Sequence, residues 1–170
     1  NILKASTEPA AQIQFVNLLA DKEDKSALPL LTGLLNSHDK KLQLAVINAV
    51  AKIGKQNAIN SLIGLLQGGN GDIINVTKNA LLTIADKSMV DASAKVLPNA
   101  APDAKVALLD ILAQRREGQY SNLVFNETES SNAVVKLAAA TALAEVVTKN
   151  DVDRIAPLLN NSTDEAVTKA

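Results

Sequence analysis

Apolar residues recur along this chain at three- and four-residue spacing and are interrupted by short polar stretches, the pattern of amphipathic helices. Leu28, Leu31, Leu34 and Leu35 fall on one face of a first helix, and Leu42, Val46, Ala49, Val50 and Ile53 on one face of a second. The pattern then repeats with a period of 31 residues. Gly33-Leu34-Leu35 returns as Gly64-Leu65-Leu66 and Lys95-Val96-Leu97 and, one unit being skipped, as Pro157-Leu158-Leu159. A second series, Ala49-Val50, Ala80-Leu81, Ile111-Leu112 and Ala142-Leu143, keeps the same step, and Leu18-Leu19 extends it backwards. Ile73, Thr77, Ala80, Leu81 and Ile84 form the second helix of the next unit.

The boundaries share the register. Ser26, Asn57, Ser88, Gln119 and Asn150 precede the first helices, and Asp39, Asn70, Ala101, Asn132 and Thr163 precede the second. Short polar side chains suit these places because their oxygens accept bonds from unpaired helix N–H groups. Pro9, Pro29 and Pro102 also fall near helix starts, where a missing N–H costs little. The spacing predicts an initial helix over 8–23, two-helix repeats at 26–56, 57–87, 88–118 and 119–149, and a partial repeat at 150–170. A two-helix unit cannot bury its apolar stripe alone, so neighbours stack. The expected architecture is all-α: a single domain over 1–170, forming a right-handed α-α superhelix. The first residue is Asn rather than Met, so a fragment of a longer chain is expected.

The stretch from Asp39 through Leu42, Ala45, Ala49, Val50 and Ile53 to Gly54 resembles the second helix of a HEAT repeat. There an Asp opens the helix, apolar and Ala positions follow, and Ile-Gly closes it. Asp72 to Ile84 keeps the pattern with Ala85 in place of Gly. The position usually held by Arg is occupied by Gln43, Ile74, Lys105 and Lys136, and the short step is closest to compact bacterial HEAT-like repeats. The resemblance to the HEAT and armadillo-like family implies that second helices line a concave face and carry the ligand surface. Outward rows at the repeat step are then Lys41, Asp72, Asp103 and Val134; Asn48, Asn79, Asp110 and Thr141; and Lys52, Thr83, Gln114 and Glu145.

Composition narrows the chemistry. Apolar residues are 47% of the chain but aromatics only 2%, namely Phe15, Phe125 and Tyr120, so the core must be built from aliphatic side chains. Seventeen basic and eighteen acidic residues give a net charge of −1, and arginine is confined to Arg115, Arg116 and Arg154. That balance argues against a nucleic-acid surface. With no cysteine and only His38, thiolate chemistry and sites needing two imidazoles are excluded. No apolar run reaches the length of a membrane span, so no membrane insertion is expected. The Gly68–Asp72 loop lacks the Lys-Ser/Thr of a phosphate loop and the spaced carboxylates of a calcium loop. Asp72, Asp103 and Asp110 belong to different units, and paired carboxylates act as acid and base only in a tuned setting. Sequons occur at Asn75, Asn126, Asn160 and Asn161. No catalytic residue, metal or cofactor is expected.

One place breaks the repeat. Arg115 stands where Ile53 and Ile84 stood, and Asn126-Glu127-Thr128 replaces the Gly-Leu-Leu of earlier units, predicting a short first helix followed by a longer polar loop. Arg115, Arg116, Tyr120 and Phe125 gather there, a composition typical of interface hot spots, although the rings also serve to fill space left by lost leucines. Together with Lys41, Asn48, Lys52, Asp72, Asn79, Asp103 and Asp110 they form the expected binding set. The expected function is a non-catalytic scaffold recognising a protein or other macromolecule; the alternative is an accessory region of a larger, sugar-processing bacterial enzyme. Val152, Ile155, Leu158 and Leu159 form an apolar face in the partial repeat, so continuation of the chain or self-association is expected there. The absence of cysteine favours an extracytoplasmic location over the cytoplasm.

Overall fold

A computed structural model describes residues 8–155. It divides into two compact units, Asn1–Met89 and Val90–Ala170. The described residues are helical, with no strand. Unit one contains α1 (Pro9–Asp21), α2 (Leu28–Gly33), α3 (Lys40–Gly54), α4 (Ile59–Gly68) and α5 (Gly71–Leu82). Helix α6 (Lys87–Val96) crosses into unit two, which continues with α7 (Pro102–Arg115), α8 (Ser121–Glu127) and α9 (Ala133–Val146). Leu158, Leu159, Asn160, Asn161, Thr163 and most of the expected partial repeat lie outside the described residues.

In unit one the second helices pack side by side, α1 on α3 and α3 on α5, while α2 and α4 lie against the second helix of their own pair. In unit two α9 packs on α7 and α8 packs on α9. The residues at the repeat step fill these contacts. Val46 and Val50 of α3, Leu81 of α5 and Leu108, Ile111 and Leu112 of α7 are fully enclosed. Each such side chain contributes roughly 1.5–3 kcal/mol through burial. Pro9 and Pro102 lead α1 and α7, where their missing N–H is harmless.

The caps lie partly elsewhere than the spacing predicts. Before second helices, Asp39 accepts from Leu42 N at 2.8 Å and Asn132 from Val134 N and Val135 N at 3.0 and 3.1 Å. Asn70 holds the same position without a side-chain bond, and Ala101 has none to offer. Before first helices, Ser26 and Ser88 are not the caps. Asp24 and Asp86, two residues earlier, accept from the amides of Ser26 and Ser88 at 3.0 and 2.8 Å. Thr148 and Asp151 close a reciprocal capping box in the same register. A short 3-10 turn follows Asp24 and Thr148, at Lys25–Ala27 and Lys149–Asp151, whereas α6 begins directly after Asp86. In an Asx turn an aspartate bonds the backbone two residues on.

The irregular repeat also differs from expectation. Helix α8 has seven residues, shorter than α4 and α6 but not α2, and the segment after it is no longer than in the first repeat. Glu127 does not join a polar loop; it is 7% exposed, and Thr128 beside it is 4% exposed. Lys105 Nζ donates to both Glu127 carboxylate oxygens at 2.7 and 2.8 Å. Ile74 and Val96, both apolar, occupy the same two register positions one repeat earlier.

Two stability outcomes follow from these burials. Glu127→Leu alone leaves the Lys105 ammonium largely desolvated and should lower unfolding free energy by about 3 kcal/mol in urea melts. Lys105→Ile with Glu127→Leu should restore the parent value or exceed it. Equal stability of parent and single variant would show that the pair carries no weight. Thr77 is fully buried in α5 and its Oγ1 has no hydrogen-bond partner. Thr77→Val, which reproduces Val46 of the repeat before, should raise stability by about 1 kcal/mol by removing the unsatisfied hydroxyl.

Candidate binding groove on the second helices

A groove of about 770 Å³ lies within unit one, lined by the C-terminal halves of α3 and α5 and the turns after α1, α3 and α5. The buried residues Ala51, Ala80 and Ile84 form its floor; around it stand Asn48, Lys52, Lys55, Gln56, Thr83, Ala85, Asp86 and, from the turn after α1, Glu23. The alanines make the hollow: where a larger side chain would fill the space between two helices, a methyl group leaves it open. Asn48 and Lys52 stand four residues apart on one face of α3, so the helix presents them together, and Lys55 joins them from the turn that follows.

The lysines are held by acids one repeat earlier. Lys52 Nζ lies 3.0 Å from Asp21 Oδ1, and Lys55 Nζ 3.3 Å from Glu23 Oε2. Both pairs are exposed, so each contributes only about 0–1 kcal/mol to stability and exchanges readily. Glu23 and Lys55 have φ of 47° and 46°, the left-handed region where glycine is the economical choice. Thr83 donates its hydroxyl to Ala80 O at 2.7 Å. Asp86 sits opposite the lysines, and the Ser88 hydroxyl and amide that donate to it hold its carboxyl below the usual range.

Of the residues expected from sequence, Asn48 and Lys52 reach this groove. Lys41 and Asn79 are exposed on α3 and α5 away from it, and Asp72 is ion-paired with Lys40, which lowers its carboxyl pKa. In unit two, Asp103 is exposed in the first turn of α7, and Asp110 accepts from Gln114 Nε2 at 3.0 Å. The arginine and aromatic cluster does not present one common surface. Arg115 is half-buried, and Phe125 is 5% exposed, its ring facing the core with the Arg154 guanidinium 4.0 Å from its centroid. Phe125 therefore fills the space of lost leucines. Arg116 ends α7 in a left-handed conformation and pairs with Glu145 at 3.0 Å. Tyr120 Oη donates to Asp91 Oδ1 at 2.5 Å.

Sequence reasoning missed Glu23, Lys55, Gln56 and Asp86. A signal for them existed: residues 24, 55, 86, 117 and 148 form a further series at the repeat step, marking the turn between units. Asp21 and Lys52 likewise stand 31 residues apart, and Glu23 and Lys55 stand 32 apart. Among the described residues no three His, Asp or Glu side chains gather as a metal site, and no helix is long and apolar enough to cross a membrane.

Successive helix pairs whose second helices stack define a tandem α-α repeat protein. The family profile of HEAT repeats, which build α-α solenoids, matches residues 1–82. The fold is similar to that in the crystal structure of an engineered protein from the Northeast Structural Genomics Consortium. The TM-score is 0.55 at 19% identity, over 98% of this chain and 90% of that one. No curated protein matches the sequence.

The single tyrosine offers a direct check of unit two. The Asp91 carboxylate accepts the Tyr120 proton, and with desolvation this raises the phenol pKa to about 12. A folded pKa above the unfolded value of about 10 gives stability present in full below pH 10 and lost as pH climbs toward 12. An ultraviolet titration of tyrosinate should therefore show a midpoint near 12 that falls to about 10 in Asp91→Ala. A midpoint near 10 in the parent protein would break the assignment.

Proposed function

We propose that this protein is a non-catalytic binding module that recognises a partner polypeptide on the second-helix face of unit one. HEAT repeats are commonly protein-interaction scaffolds and generally non-catalytic, and residues 1–82, which match that family, include most of the groove. The observation that carries the reading is the groove itself, an apolar floor of Ala51, Ala80 and Ile84 bordered by amide, hydroxyl and ion-paired side chains from α3 and the adjoining turns. An extended polypeptide needs hydrogen-bonding partners for its backbone and shallow apolar space for its side chains, and Asn48, Gln56 and the alanines supply both. Because the helices are fixed by the core beneath, the surface is formed before binding and little entropy is lost in organising it.

The reading is tested by site-specific photo-crosslinking in the protein's own cells. A crosslinker at Asn48 or Thr83 should capture one polypeptide. The capture should disappear when Ala85→Arg, at an exposed position on the groove, blocks it in a folded protein. A crosslinker at Asn60, exposed on first helix α4, should not capture it. Equal capture from Asn60 and Asn48, or persistence in the filled variant, would overturn the assignment.

A further inference from the structure

The two rims of the groove differ in how their charges are answered. On the α3 side, Lys52 and Lys55 are neutralised by Asp21 and Glu23. On the α5 side stands Asp86, whose hydrogen bonds to the Ser88 amide and hydroxyl stabilise its charge without cancelling it. Helix α5 ends beside it with no basic residue in its last turn, so its terminal carbonyls add a partial negative charge to the same rim. Between the rims lie the buried apolar residues Ala51, Ala80 and Ile84. The α5 side of the groove is thus a short apolar trough leading to an unanswered negative end.

We propose that this trough seats one basic side chain, Arg or Lys, from an extended segment of the partner polypeptide. Its methylene stem lies on the apolar floor and its cationic head reaches Asp86. This rests on the binding-module reading above and narrows its partner. Long basic side chains are suited to the site because they lay an apolar stem along apolar surface while the head stays in polar surroundings. The opposite rim sets the orientation: a second basic residue directed at α3 would face Lys52 and Lys55, whereas an acidic one would exchange with Asp21 or Glu23. Glu23 and Lys55 hold left-handed backbone conformations that glycine would adopt more cheaply, so their side chains stay at this rim against a local cost.

The test uses three short acetylated, amidated peptides that are identical except for a central Arg, Leu or Glu. Each is titrated into the isotope-labelled full chain while the amides of Ala51, Ala80 and Ala85 are followed by NMR. The Arg peptide should bind about tenfold more tightly than the Leu peptide, by analogy with other charge-assisted contacts, and the Glu peptide most weakly. Asp86→Asn keeps an acceptor for Ser88 and should abolish the Arg advantage. Equal binding of Arg and Leu peptides at these amides would overturn the basic-residue assignment and leave the binding-module reading standing. An Arg advantage that survives Asp86→Asn would overturn the role of Asp86. No shift at these amides with any peptide at millimolar concentration would overturn both readings for this groove.

Discussion

A two-helix repeat of this composition cannot enclose its own apolar stripe, and the rest of the structure depends on that shortfall. Val46, Val50 and Leu81 are buried because the second helices of unit one lie against each other, as α7 and α9 do in unit two. Since every repeat must present the same face to its neighbour, the period of the sequence becomes the spacing of contacts. The polar pairs obey it too. Asp21 with Lys52, Glu23 with Lys55, Lys40 with Asp72, Asp91 with Tyr120 and Asn122 with Arg154 each join residues about one repeat apart. These pairs are mostly exposed and weak singly. Their value lies in fixing register on a surface whose affinity for itself is otherwise non-directional.

The near absence of aromatic rings has a structural consequence. A core of Leu, Ile, Val and Ala lets helices approach closely, and where alanines of adjacent second helices face one another the surface dips. The groove between α3 and α5 is such a dip, with Ala51 and Ala80 at its base. Its character comes from what surrounds it: lysines already matched by acids on one side, and on the other a carboxylate held ionised by Ser88 at the end of a helix without a compensating cation. The same repeat geometry therefore supplies both the stability of the stack and the asymmetry of the site.

Unit two shows a different use of the scheme. Lys105 and Glu127 stand where Ile74 and Val96 stand one repeat earlier, and their contact skips the usual spacing. An ion pair of this burial adds little stability compared with apolar side chains of similar size, but it tolerates misalignment poorly because either charge left alone is costly. Phe125, the largest side chain of α8, packs into the same region with Arg154 against its ring. The break in the apolar pattern at Asn126-Glu127-Thr128 is thus a change in the means of packing rather than a loss of it.

The sequence by itself determined the helical class, the period, the pairing of helices and most of the buried positions. All of these follow from the spacing of apolar side chains, which is local information. It also located Asn48 and Lys52 on an outward face, since helical geometry places i, i+4 neighbours together. Only the tertiary structure decided which outward residues share a site. Glu23, Lys55 and Asp86 come from turns whose conformation apolar periodicity does not encode, and they meet α3 and α5 only because the repeats stack. It also decided that Glu127 and Phe125 are buried, because the partners that make burial favourable, Lys105 for one and the apolar core for the other, are supplied by other elements of the fold. A side chain's pattern fixes the helix face it occupies; whether that face meets solvent, core or another charge is fixed by the neighbour packed against it.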